Sequence, residues 1–560
     1  MNAIALLLVG LGAFALGYVF YSRFIGEKIY RLDPNFRTPA HEFEDGVDHV
    51  PTNKLVLWGH HFTSVAGAAP IVGPAIAVIW GWLPAFLWVV LGTVFFAGVH
   101  DFGALWASIR NQGKSIGTLT GTVIGARARN LFLVVIFLLL LMVNAAFAVV
   151  IAKLLVSTPT AVIPTWGAIL VALVIGQAIY RYKMGLTWPS IIGVIVLYAL
   201  ILLGNSVPIT LPDNVLGLSP AETWIVLLFA YAGVASVLPV WMLLQPRDYI
   251  NGLQLFVGLG LLYLAVLIAA PPVVAPAFNS NLPANTPSIV PLLFVTIACG
   301  AISGFHGLVA SGTTSKQLDK ETDARFVGYF GSVGEGMLAL AAIICTTAGF
   351  ATLVDWEAMY SQYGGGSVVA FVQGGDAILI AGLGMPEQLG ATMLATMAIL
   401  FAATTMDTGL RLQRYVVQEA GDLAGFRLGT VAGTLVALAF CLALAFGAGG
   451  EGAGGMVIWP LFGTTNQLLA GLTLAIISAM LIKLGRPIRY TVVPLAFLLF
   501  MTVYALFVQL GQFYREQNWL LLVMDIVILG AALWVALEAV VVIRRGGGRQ
   551  PGEVGPVEGR

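Results

Sequence analysis

The chain has 560 residues, of which 59% are hydrophobic and only 10% charged. Soluble proteins run near about a quarter charged, and 27 Lys+Arg with 27 Asp+Glu are too few to clothe the surfaces that a soluble chain of this length needs. A cytoplasmic enzyme, a secreted protein and a nucleic-acid binder are thereby excluded, the last also because the net charge is zero. The apolar stretches are continuous rather than alternating, which excludes a β-barrel and leaves an all-α polytopic membrane protein.

A helix crosses a bilayer with about 20 apolar residues. On that measure spans are predicted near 2–22, 55–80, 83–108, 130–156, 163–182, 187–205, 221–244, 252–271, 288–312, 327–352, 388–408, 428–447, 456–483, 490–512 and 518–543, about fifteen in all. The first is read as a span rather than a cleaved signal, because no Lys or Arg precedes it and no small-residue cleavage site follows. The stretch 366–384 is short and interrupted by Gly374, Gly375 and Asp376, and is read as re-entrant or interfacial.

Loops carrying Arg110, Lys114, Arg127 and Arg129, then Arg181 and Lys183, then Arg247, then Lys316, Lys320 and Arg325, alternate with loops that carry no Lys or Arg, such as 157–162 and 353–365. The positive-inside rule makes the first set cytoplasmic, which predicts the N-terminus outside and the C-terminus inside. The loop 23–54 then lies inside. The tail from 546 is Gly, Pro and charge, and is read as disordered.

Span 55–80 contains Gly67-Ala68-Ala69-Pro70 and Gly73-Pro74 at its centre. Two prolines four apart remove backbone donors and clash with carbonyls one turn back, so the helix is expected to unwind where it is buried in protein or lines a wet cavity. Span 221–244 repeats an Ala-Gly pair followed by Pro239, with Ser236 between them. Four predicted spans separate the two, and they run in opposite senses. This predicts a five-plus-five inverted repeat with 55–205 as its first half and 206–408 as its second. An N-terminal unit 1–54, appended spans 409–545 and the tail 546–560 complete the chain. Secondary transporters hold substrate and coupling ion at the midplane between two such breaks.

Asp45-Gly46-Val47-Asp48, Pro51-Thr52-Asn53-Lys54, Gly59-His60-His61-Phe62 and the run Ala66–Pro74 come first. Gly81-Trp82-Leu83-Pro84, Gly98-Val99-His100-Asp101, Ala298–His306, Ser311–Lys316 and Glu321–Arg325 follow. Together they resemble the carbon starvation protein A (CstA) family over most of the chain. The resemblance implies an inner-membrane transporter of the amino acid–polyamine–organocation superfamily with a LeuT-like core. It links the chain to uptake of pyruvate or of short peptides, coupled to protons.

Histidine titrates near neutral pH, and ionisable residues inside spans mark proton or substrate paths. His60 and His61 in the first broken helix are read either as a proton relay or anion contact, or as interfacial anchors beside Trp58. His100 and Asp101 are candidates for the relay or for an inner polar cluster. Adjacent helix positions do not face each other, so a direct pair between these two is not expected. His306, deepest of the histidines, is the leading protonation candidate. Glu335, Asp407 and Asp525 rank lower, and Asp407 is expected to pair with Arg411 one turn on. By the LeuT-like resemblance, Ser311, Thr313 and Thr314 supply a cation site; otherwise they cap a helix end. Gly67, Ala68, Ala69, Pro70, Gly73, Ser236 and Pro239 are the candidate substrate contacts, through helix termini that offer backbone donors to a carboxylate. No cofactor, metal site or enzymatic motif is read in the chain. The partners expected are the bilayer and a small molecule moved with H+ or Na+. The function expected is a secondary transporter importing a small carboxylate, pyruvate first, with a short-peptide transporter or a non-transporting nutrient sensor as alternatives.

Overall fold

In a computed structural model, the structure describes residues 1–560 except 46–48, 124–125, 186, 239–241, 285, 365–366, 424, 448–453 and 547–560. Among the described residues, thirteen helices are long and apolar enough to cross a bilayer, and a bent pair makes fourteen. The fifteenth predicted span is present as an interrupted helix, 289–312. The protein is therefore a multi-pass helical membrane protein.

Helix α1 runs Ala3–Tyr30. The bent pair follows as α2, Lys54–Ala66, and α3, Ala69–Ala77. Next come α4, Trp82–Ile109, and α5, Arg129–Ser157. They lead to α6, Pro220–Val237, α7, Leu244–Ala269, and the interrupted pair α8, Ile289–Thr296, and α9, Gly304–Gly312. Then come α10, Glu321–Ala348, α11, Ser367–Leu383, α12, Leu389–Leu423, and α13, Val457–Lys483.

Burial separates these helices into two shells. The apolar window of α13 is 94% buried, and those of α10 and α12 are 89% buried, whereas the outer helices Thr187–Ser206 and Thr430–Gly447 reach only 33%. The outer helices leave Ile195, Leu202, Val431 and Leu435 exposed, as a lipid-facing surface requires. Helix α13, which the sequence places among appended spans, has the most buried window of the thirteen.

The first break forms inside the predicted run but is shorter than predicted: only Gly67 and Ala68 leave the helix, and Pro74 stays inside α3. Gly67 has φ +55°, ends α2, and sends the chain 47° away into α3. A side chain there would meet Thr405 Oγ1 and Phe147, so close packing as well as backbone conformation demands glycine. Pro70 sits in the first turn of α3, where a missing N–H costs nothing.

The second predicted break does not form within its span. Helix α6 opens with a capping box between Ser219 and Glu222 and stays helical through Ala232, Gly233 and Ser236. It ends at Leu238, which is extended at φ −71°, ψ 151°, as expected of the residue before a proline. Pro239 itself lies outside the described residues, and α6 ends two residues before it. The second interruption lies between α8 and α9, at 297–303, inside the predicted span 288–312, for which no break is expected from the sequence.

The stretch read as re-entrant or interfacial is one uninterrupted helix, α11, 17 residues long, and falls among the shorter apolar helices rather than the candidate spans. Its glycines are sites of close approach rather than breaks: a Cβ on Gly374 would collide with the Cys345 carbonyl oxygen.

Candidate functional site

The second break packs on α3, where Gly73 lies against the Thr296 carbonyl at the end of α8, while Gly67 of the first break faces Thr405 and Phe147. Four groups of polar residues are buried among these helices.

The first group is buried between α4, α9 and α10. Asp101 accepts from three directions: His100 Nδ1 at 2.6 Å on Oδ1, and on Oδ2 His306 Nδ1 at 2.6 Å and Ser332 Oγ at 2.5 Å. The other ring nitrogen of His306, Nε2, lies 2.9 Å from Glu335 Oε2. Asp101, His100 and His306 are fully buried and Glu335 is 1% exposed. The pairing of His100 with Asp101 corrects the expectation that neighbours in sequence do not meet. Asp101 has a short side chain that turns back to its neighbour while its second oxygen reaches α9. Glu335, ranked low from sequence, closes the cluster. Turns of π-helix at Thr93–Ala97 and Arg325–Tyr329 precede the polar residues on α4 and α10, and such widened turns recur at functional sites.

His61 is next to this cluster. Its Nδ1 lies 2.9 Å from Thr314 Oγ1, its ring packs on Gly331, and its Nε2 has no hydrogen-bond partner among the described residues. The hydroxyls read as a cation site are not brought together. Ser311 Oγ donates to the Gly307 carbonyl and accepts the Ile116 N–H, Thr313 Oγ1 donates to the Val309 carbonyl, and Thr314 faces His61.

The second group is the first break. Among the described residues, the N–H groups of Gly67, Ala68 and Ala69 and the Ala66 carbonyl have no protein partner, and the buried Thr405 hydroxyl beside Gly67 is also unpartnered. Ser236 is not part of this arrangement. It lies at the end of α6, where its carbonyl accepts Arg414 Nη1 at 2.6 Å, while Arg411 Nη2 bonds the Ala235 and Leu238 carbonyls. Two arginines of α12 thus cap the C-terminal carbonyls of α6, where a positive charge is favoured.

The third group is the second break, where side chains supply what the backbone has lost. Asn466 of α13 accepts the Phe305 N–H at 2.9 Å and donates to Ser303 Oγ at 3.0 Å. Gln467 Nε2 donates to the Phe294 carbonyl at 2.5 Å, and Trp88 Nε1 to the Ile297 carbonyl at 3.1 Å.

The fourth group is a buried ionic network. Arg247 Nη1 bonds both Asp407 and the Tyr231 hydroxyl, and that hydroxyl donates to Asp407 Oδ2 at 2.9 Å. Asp407 therefore pairs with Arg247, not with Arg411, whose Nη2 bonds the carbonyls at the end of α6. Asp248 is beside it, 3.8 Å from Arg247 Nη2 and 3.4 Å from His60 Nδ1. Removing either charge of such a pair leaves the other buried alone. Among the described residues, no group of three or more His, Cys, Asp or Glu is placed to hold a metal ion.

A polytopic helical bundle with two interrupted helices and a buried histidine–carboxylate cluster is the architecture of a membrane transporter. The model of the family described as "Carbon starvation protein CstA" matches residues 2–349 and 346–505, and the chain belongs to that family. A Campylobacter jejuni protein named "Peptide transporter CstA" is 33% identical, over 90% of this chain and 80% of that one. An Escherichia coli protein named "Pyruvate/proton symporter BtsT" is 31% identical, over 90% and 81%. Among solved structures, a mutant form of an Eremococcus coleocola manganese transporter aligns with a TM-score of 0.49 at 11% identity, over 90% of this chain and 99% of that one.

Proposed function

We propose that this protein is a secondary transporter of the inner membrane that imports a small carboxylate, pyruvate first, together with a proton, in the response to carbon starvation. The observation that carries the reading is His306 held between Asp101 and Glu335. With Asp101 ionised, the His306 nitrogen that faces it, Nδ1, carries a proton. The exchangeable proton is then one taken up between His306 Nε2 and Glu335 Oε2, 2.9 Å apart. Its uptake cancels one of the two negative charges of Asp101 and Glu335, and its release restores that charge. Because His61 of α2 packs on Gly331, next to the Ser332 that bonds Asp101, loading the cluster bears on α2, which ends at the first break. There the free N–H groups of Gly67, Ala68 and Ala69 suit a substrate carboxylate. Pyruvate is favoured by the relative named as a pyruvate/proton symporter. Short peptides are the second reading, favoured by the relatives named as peptide transporters.

The test is uptake of labelled pyruvate and labelled dipeptide into proteoliposomes, with and without an imposed pH gradient. His306→Gln and Glu335→Gln keep size and polarity but lose the exchangeable proton. Both are expected to lose gradient-driven accumulation by at least about tenfold while substrate counterflow persists. Normal accumulation in both variants would overturn the proton assignment. Sodium dependence without pH dependence would overturn it as well.

A further inference from the structure

A cavity of about 420 Å³ enters the molecule beside α2, α5, α9 and α12. Its deep end reaches Ser64, one turn before Gly67, and Thr408, one turn after Thr405, so it leads toward the first break. Its walls are not neutral. Arg129, Lys316 and Arg411 line it from three separate segments, and all three are only partly buried. The Nε atoms of Arg129 and Arg411 are buried without a hydrogen-bond partner among the described residues. Arg411 commits Nη2 to α6 and keeps its other donors. Two acids share the cavity. Asp248 is already faced by Arg247 and His60, and Glu419 is exposed at the rim.

Three cations from separate segments, converging on a concave space with low-dielectric walls, focus a positive potential into it and raise the local concentration of anions. We propose that this vestibule is a second binding site, distinct from the first break, that takes a small carboxylate anion through Arg129, Lys316 and Arg411. It holds the substrate class of the transport reading at the mouth of the pathway. That clause rests on the proposed function, whereas anion binding in the cavity does not.

The test reads the potential directly. The native cysteines, Cys299, Cys345 and Cys441, are buried, so a reporter placed by Val416→Cys on the cavity wall is the reactive thiol. Its modification is followed in nanodiscs of neutral phosphatidylcholine with two methanethiosulfonates, one bearing a sulfonate and one a trimethylammonium. The anionic reagent is expected to react about tenfold faster than the cationic one. The ratio should fall toward unity when Arg129→Gln or Lys316→Gln is added to the reporter. Millimolar pyruvate should slow the anionic reagent and acetamide should not. Size-exclusion profiles check that each variant is folded, and the two substitutions are read separately so that the loss of one does not remove the test.

Equal rates for the two reagents in the reporter protein would overturn the proposal. So would a ratio unmoved by either substitution, or protection by acetamide equal to that by pyruvate. Protection by pyruvate without pyruvate uptake leaves the site standing and removes the transport reading. Uptake without protection does the reverse.

Discussion

The two interrupted helices pack together, α3 against the second break, yet solve the same problem in opposite ways. Between α8 and α9 the lost backbone hydrogen bonds are replaced by Asn466, Gln467 and Trp88. Between α2 and α3, N–H groups and a threonine hydroxyl are left without partners among the described residues. A buried polar group without a partner is unfavourable by about 1–3 kcal/mol. The filled break therefore behaves as a fixed structural joint, and the unfilled one is the place where a substrate gains most by binding.

Three experiments bear on that contrast. The largest effect is expected from Gly67→Val. The branched side chain meets Thr405 and Phe147 and forces a β-branched residue to φ +55°. Uptake should fall to under about a hundredth of wild type, because the unfilled break is both reshaped and blocked, on the order of 3 kcal/mol or more. Retained uptake would show that the break is not the substrate site. Asn466→Leu should do the converse. It strands the Phe305 N–H and lowers stability by about 1–3 kcal/mol, seen as a lower thermal midpoint, with KM changed less than stability. A large rise in KM with unchanged stability would make the second break a binding element as well. The smallest effect is Thr405→Val, which removes a hydroxyl that no described protein group uses. Stability should hold or rise slightly, and KM should rise about three- to tenfold, the worth of one hydrogen bond. An unchanged KM would take Thr405 out of the substrate's surroundings.

The contrast also explains which features were legible in the sequence. The membrane class and the approximate number of spans follow from apolar run length. The first break follows from two prolines beside Gly67, because proline chemistry is local. The same reasoning misplaced the second break at Pro239, since a proline ends a helix as readily as it interrupts one. The helix start at Ser219 makes α6 only 18 residues long, so Pro239 falls beyond its end. The actual second break carries no proline. Its signal is the run from Ala298 to Gly304, rich in small residues, and its stability comes from Asn466 on a helix more than 160 residues away. A long-range partner of that kind leaves no local trace.

The functional cluster divides in the same way. His306, His100 and Asp101 were selected because ionisable residues in apolar spans are rare. Glu335 met that criterion too, but its rank depended on a contact with His306 that only the packing of α10 against α9 supplies. For Asp407 the sequence offered a partner one turn away, and the fold chose one 160 residues distant.

That last pairing has a consequence for how the protein is made. Arg247 leaves the ribosome 160 residues before Asp407, its partner in the finished fold. At about 5–20 residues per second this is an interval of roughly 8–30 s during which α7 is synthesised and α12 is not. An arginine without a counter-charge is strongly disfavoured within the bilayer. The adjacent Asp248, 3.8 Å from the guanidinium even in the folded protein, travels with Arg247 and provides an interim partner. Chains halted before Asp407 should therefore leave the N-terminal end of α7 open to water-soluble labels. The arrival of that carboxylate joins α7 to α12, and the inner shell closes only with α13, made later still.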